Sequence, residues 1–261
     1  MSSRTVTMEL LEQRIAENRG SQQIDLGEWI FDRLVIHPQD KILELCCGTG
    51  AQSIRFAERL GETGSLTAVD ISAESLRMLA SKLAPEDVNK VRLVGACIDD
   101  LAAALHNFGE PSFDLVFCAY GLYYSTAATA LLDQIRSWLR PGGRIAIVGP
   151  FGPNNSQLFD LVRASGATLA PVVLTSSQSF MLETVVPWAT VNFESVCLHS
   201  MVNPVRWASA ERVLNYWQNT TFYDDSARPN FERLLQERFR DHSEFVNEKW
   251  VMMVEMTHAR G

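Results

Sequence analysis

Short apolar runs bounded by turn residues alternate with segments of helical periodicity across the middle of the chain. The runs fall at 42–45, 66–69, 91–94, 114–118 and 144–148, the last after a Pro141-Gly142-Gly143 turn. Between them, 53–60, 73–83 and 127–139 carry apolar residues three and four apart. Buried strands alternating with helices predict βαβ units around a mostly parallel sheet. Right-handed crossovers then put helices on both faces.

The flanks are less regular. Leu10, Leu11 and Ile15, then Leu26, Ile30 and Leu34, predict helical cover within residues 1–38. After Pro150 the pattern predicts helices at 157–164, 209–219 and 229–240 and strands at 196–199 and 250–254. Pro171 and Pro187 mark 167–190 as irregular. The expected assembly is α/β: a seven-stranded, mostly parallel sheet with helices on both faces and a partial helical lid. Its divisions are an N-terminal helical cover (1–38), a core (39–150), and 151–261, which completes the sheet and adds the lid insertions.

Charge and composition narrow the function. The chain has 261 residues, 46% of them apolar, with 23 Lys and Arg against 31 Asp and Glu, a formal net charge of −8. Such a surface lacks the broad positive field that holds phosphates, which disfavours nucleic acid as a partner. No run reaches the ~18 apolar residues of a membrane span, and the N-terminus does not read as a secretory signal. The five cysteines have no C-x-x-C spacing, which predicts reduced thiols and a cytoplasmic protein. The five histidines show no metal-ligand spacing, so no metal site is expected.

The chemistry concentrates at Leu43-Glu44-Leu45-Cys46-Cys47-Gly48-Thr49-Gly50, a strand running into a glycine turn before a helix. Dinucleotide sites use G-x-G-x-x-G, but here the third glycine is Ser53. Glu44 at the strand end would repel a diphosphate and attract a cation. Asp70 ends the next run, where a carboxylate can accept from two ribose hydroxyls. The pattern asks for a cationic, phosphate-free adenosine compound, and S-adenosylmethionine fits. Both acids have plain structural readings as well: Glu44 as an acceptor of nearby backbone N–H groups, Asp70 as a helix cap. The vicinal Cys46 and Cys47 read as small apolar packing rather than a redox pair, because adjacent strand residues face opposite sides.

Four motifs follow in order: Glu44–Gly50, Val69-Asp70-Ile71-Ser72, Phe113-Asp114-Leu115-Val116-Phe117 and Leu139-Arg140-Pro141-Gly142-Gly143. With them, residues from about 40 to 150 resemble the Rossmann-like class I S-adenosylmethionine-dependent methyltransferases of the small-molecule branch, which includes quinone-methylating enzymes, and the resemblance implies a cofactor-binding core at 39–150 with acceptor-side lid insertions after it. The resemblance implies that Glu44, Cys46, Gly48 and Gly50 surround the methionine part of the cofactor. It implies Asp70 on the ribose and Ile71 on an adenine face. The adenine edge falls on Cys97 and Ile98, where the usual Asp is absent, leaving the Ile98 N–H and Asp99 as candidates. Cys118 and Ala119 would line the methionine end, with Tyr120, Tyr123 and Tyr124 on the substrate side. Tyr123 and His199 are the candidate catalytic groups. Trp207, Trp217, Phe222 and Tyr223 read as core packing, with an aromatic acceptor lid as the alternative.

The expected activity is direct methyl transfer to an oxygen, nitrogen or carbon of a small-molecule acceptor. The competing readings are a non-catalytic S-adenosylmethionine-binding regulator and a nucleotide-linked oxidoreductase. Homo-oligomerisation is compatible with the sequence.

Overall fold

Ile42, Leu43 and Leu45 are almost wholly buried, as a central strand covered on both faces requires. The computed structural model describes residues 20–105 and 112–257. Seven strands form one sheet: β1 (Lys41–Leu45), β2 (Ser65–Asp70), β3 (Val91–Gly95), β4 (Phe113–Ala119), β5 (Leu139–Pro150), β6 (Ser195–Trp207) and β7 (Phe245–Thr257). Their order is β3-β2-β1-β4-β5-β7-β6. Strands β1 to β5 pair in parallel, with Leu45 opposite both Val69 and Cys118. The order runs outward from β1 to β3 on one side and from β4 on the other. The crevice at the carboxyl ends of β1 and β4 is therefore a topological switch point, where such sheets take ligands.

The described residues form two compact units, and the chain passes between them more than once. Residues 26–105, 112–149, 180–199 and 252–257 make one. Its helices include α1 (Leu26–Phe31), α2 (Ser53–Arg59), α3 (Ala73–Lys82), the short α4 (Leu101–Ala104) and α5 (Ala128–Ser137). Ser72 caps α3 by accepting from the Ser75 N–H at 3.1 Å. Edge-to-face rings tie α1, α2 and β4 together, Phe31 to Phe56 at 5.0 Å and Phe56 to Phe117 at 5.1 Å. Pro141-Gly142-Gly143 lies within β5, where the pairing with β4 shifts register and Gly142 takes φ +75°.

Residues 20–25, 150–179 and 200–251 form the other unit. It contains α6 (Ser156–Ala164) and α7 (Pro171–Leu174). Trp207, Trp217 and Phe231 are fully buried in its core, and Phe222 and Tyr223 pack against it. Trp217 stacks on Phe231 at 4.1 Å. Core packing therefore accounts for all four aromatic residues read that way from the sequence.

Two expectations change. The span 167–190, read as irregular, is largely helical: α7 is followed by π-helical turns at Thr175–Ser179 and Met181–Val185 and by α8 (Val186–Asn192). Pro171 opens the run in the first turn of α7, where a missing N–H costs no intrahelical bond, whereas Pro187 falls where the second π-helical turn passes into α8 without a break. The late strands, expected at 196–199 and 250–254, each run for 13 residues. Helices α9 (Ala210–Gln218) and α10 (Arg228–Asp241) lie where periodicity put them. Leu10, Leu11 and Ile15 lie outside the described residues.

Candidate functional site

Two strands leave the sheet at the switch point through left-handed, non-glycine residues. Cys46, directly after β1, has φ +56°, and Tyr120, directly after β4, has φ +57°. Each such residue costs about 1–2 kcal/mol, and strain of this kind collects at ligand sites. The turn after β1 continues through Gly48 (φ +54°) and Gly50 (φ +87°). A side chain on Gly50 would drive into Leu79 of α3, whereas among the described residues nothing lies within 4 Å of where a Gly48 Cβ would stand. Gly50 is thus glycine for packing and conformation, while Gly48 leaves open space above the turn.

Glu44 lies beneath that turn, only 2% exposed. Its carboxylate accepts from the Ser53 hydroxyl at 2.5 Å. Ser53, read from the sequence only as a missing glycine, is the partner of the key acid. Burial pushes the Glu44 carboxyl up to about 8, the Ser53 bond opposes this, and the nearby Asp70 charge adds to it. No ion pair involves Glu44 or Asp70 among the described residues. Two acids therefore act on one another here.

Asp70, at the end of β2, accepts from the Gly48 N–H and the Ser72 N–H, both at 2.8 Å. It therefore caps the loop before α3 and fixes the glycine turn as well. A carboxylate has about four acceptor positions, so about two remain for a ligand. Ile71 beside it is 75% exposed, an apolar platform next to an acid.

The β3 side is built differently. Cys97 is extended and precedes a 3-10 turn at Ile98–Asp100, which leaves the Ile98 N–H at the open end of that turn. Asp99 points elsewhere: it accepts from the Ser125 hydroxyl at 2.5 Å and from the Thr126 hydroxyl and N–H at 2.7 and 3.0 Å. These bonds, Ser125 first, hold its carboxyl below the ordinary range. Asp99 thus ties β3's exit to the segment after β4. Sequence reasoning missed this because the partners lie far along the chain.

Beyond β4, Cys118 is buried and Ala119 partly so. Tyr120 donates its N–H to the Val148 carbonyl at 2.8 Å. Tyr123 and Tyr124 belong to a 3-10 turn, Leu122–Tyr124. Their rings lie 4.8 Å apart, and Tyr123 meets Phe180 edge-on at 6.0 Å. Phe180 was not foreseen, because it comes from the span read as irregular. His199 is on the edge strand β6, with its Nε2 3.3 Å from the Cys197 Sγ, and is not among the groups gathered at the ends of β1 and β4. No cluster of three or more metal-ligating side chains occurs among the described residues.

Comparison with known proteins adds a family match. Residues 42–143 match the family described as "Methyltransferase domain". A 2-phytyl-1,4-naphtoquinone methyltransferase of Trichormus variabilis is 34% identical over 123 residues, 46% of this chain and 51% of that protein. A demethylmenaquinone methyltransferase of Listeria monocytogenes is 31% identical over 113 residues, 43% and 46% of the two chains. The chain thus spans about half the length of the curated relatives it matches. A putative methyltransferase from Bacillus halodurans superposes with a TM-score of 0.61 over 90% of this chain and 99% of that one, at 9% identity. At that identity the likeness is one of fold.

Proposed function

We propose that this chain, whose residues 42–143 form a methyltransferase domain, uses S-adenosylmethionine to methylate a small molecule. The observation that carries the reading is the buried Glu44, paired with no basic side chain among the described residues, beneath the glycine turn at Gly48. The residues fit the cofactor: an acid pair for its positive charge, acceptor capacity on Asp70 for two hydroxyls, exposed Ile71 for an adenine face. When bound, the cofactor supplies an electrophilic methyl group on a sulfonium with a neutral thioether as leaving group.

Glu44 and Asp70 hold the cationic end and the ribose, with Cys46, Gly48 and Gly50 shaping the approach. Ile71 packs on one adenine face, and the Ile98 N–H serves the edge beside Cys97. Asp99 is left out of this set, because Ser125 and Thr126 occupy its carboxylate. Cys118 and Ala119 border the reacting end. Tyr120, Tyr123 and Tyr124 orient the acceptor and exclude water, which is most of what direct transfer demands. The tyrosine hydroxyls are the groups at hand to hold an acceptor proton.

The names of the two relatives, a 2-phytyl-1,4-naphtoquinone methyltransferase and a demethylmenaquinone methyltransferase, point to quinones, so a reduced naphthoquinone ring is the first acceptor class to try. The free thiols of all five cysteines suit a reducing, cytoplasmic setting. Among the described residues no helix is long and apolar enough to cross a membrane.

Calorimetric titration with S-adenosylmethionine and S-adenosylhomocysteine tests the cofactor. Binding is expected, and Asp70→Ala should weaken it at least about tenfold, the loss of one or two charged hydrogen bonds. No heat with either compound rejects the reading. Release of S-adenosylhomocysteine with 1,4-naphthoquinol, compared with phenol and amine acceptors, then tests turnover. Binding without release from any of them favours a regulator.

A further inference from the structure

Three residues of the turn after β1 are left-handed, Cys46, Gly48 and Gly50, and of these Cys46 alone carries a side chain. In a regular strand, residues adjacent along the chain face opposite sides. At Cys46 the left-handed turn breaks that alternation and sends the side chain across to the exit of β4. There it lies on Gly121: a Cβ on Gly121 would overlap the Cys46 Cβ, fall 2.6 Å from its Sγ and 3.2 Å from the Cys118 Sγ.

The conformation of Gly121 does not itself call for glycine, because its φ is −126° and ψ −34°. Gly121 is glycine to make room for Cys46. It also anchors the turn that carries the tyrosines, since its carbonyl accepts from the Tyr124 N–H at 3.0 Å. One residue of the cofactor turn is therefore seated on the first residue of the substrate-side turn.

Resting on the cofactor reading above, we propose that Cys46 is a positioning residue: seated on Gly121, it makes the glycine turn after β1 and the tyrosine turn after β4 move as one body. Occupancy of the cofactor turn then sets where Tyr123 and Tyr124 stand, and the acceptor is met by a surface ordered only when the methyl donor is in place.

Hydrogen exchange of residues 120–125 in the ligand-free protein tests the coupling directly. Cys46→Gly should speed exchange there about tenfold, and Cys46→Ala, which keeps the Cβ contact, by less. S-adenosylhomocysteine added to saturation, with the occupancy of each protein read by calorimetry, should slow exchange at 47–50 in wild type and Cys46→Gly, but at 120–125 in wild type alone. A rescue experiment supplies the second arm. Gly121→Ala should lower the thermal midpoint, Cys46→Gly in that background should restore it, and Cys46→Ala should not, because its Cβ still collides.

Unchanged exchange at 120–125 in Cys46→Gly overturns the proposal, as does a harmless Gly121→Ala or equal rescue by Cys46→Ala. A wild-type protein that binds no S-adenosylhomocysteine would instead refute the cofactor reading, with the ligand-free exchange still deciding the coupling.

Discussion

At the scale of single residues, Glu44 makes the sharpest prediction. Its carboxyl titrates near 8 in the folded, ligand-free protein, against an ordinary 4.5. Folding therefore keeps a proton that the unfolded chain releases, so ligand-free stability should fall as pH rises from about 4.5 to 8. A cation beside Glu44 favours its ionised form, so binding releases that proton below pH 8. S-adenosylmethionine affinity should then rise with pH by up to about tenfold per unit and level off above 8. Calorimetry in buffers of different ionisation heat reads both effects, and Glu44→Gln should flatten the profile. Gly50→Ala should cost about 2–4 kcal/mol in urea denaturation, since it combines left-handed strain with a collision at Leu79. Glu44, Gly48, Gly50 and Asp70 were legible in the sequence because their geometry is set by one short turn and the strand beside it. Asp99 was not: what occupies it is a pair of hydroxyl residues brought in by tertiary pairing.

At the scale of elements, the first five strands and their helices were legible, because period and turn residues speak locally. The helical run from Pro171 was hidden by reading Pro171 and Pro187 as breakers. What favours helix there is packing: Met181, Val185, Trp188 and Ala189 are buried, Trp188 donates its indole N–H to Asp133 of α5 at 3.0 Å, and Arg136 donates to Asn192 at 2.9 Å. None of those partners is near in sequence. The strands are tied at a second place by Arg144 of β5, which pairs with Asp40 just ahead of β1 at 2.9 Å and with Glu255 of β7 at 3.5 Å. Asp40 is 4% exposed and also accepts the His37 N–H. Arg144→Met would strand that buried acid, at a cost of about 3–5 kcal/mol in urea denaturation at pH 7. Repeating the measurement with Asp40→Asn in the same background should recover part of the loss, because the more buried of the two acids Arg144 pairs with then carries no charge.

At the scale of the whole molecule, the fold class was legible but the interleaving of the two units was not. The return of residues 180–199 and 252–257 to the first unit depends on pairings across long sequence separations, which no local window contains. The described residues of the methyltransferase-domain match, 42–105 and 112–143, lie in that unit. The thiols are also distributed unevenly across the sheet. Burial and the neighbouring Glu44 and Asp70 charges raise the Cys47 thiol, and a hydrogen bond with Cys46 together with burial raises Cys118. Cys197 is exposed on β6, at the sheet's edge and three strands from β4. Reactivity towards alkylating agents follows exposure and thiolate character. A maleimide fluorophore added at limiting dose should therefore label Cys197 first, with Cys47 and Cys118 unmodified in the tryptic map. That gives the protein a built-in attachment point for an optical reporter, remote from the crevice whose chemistry it would follow.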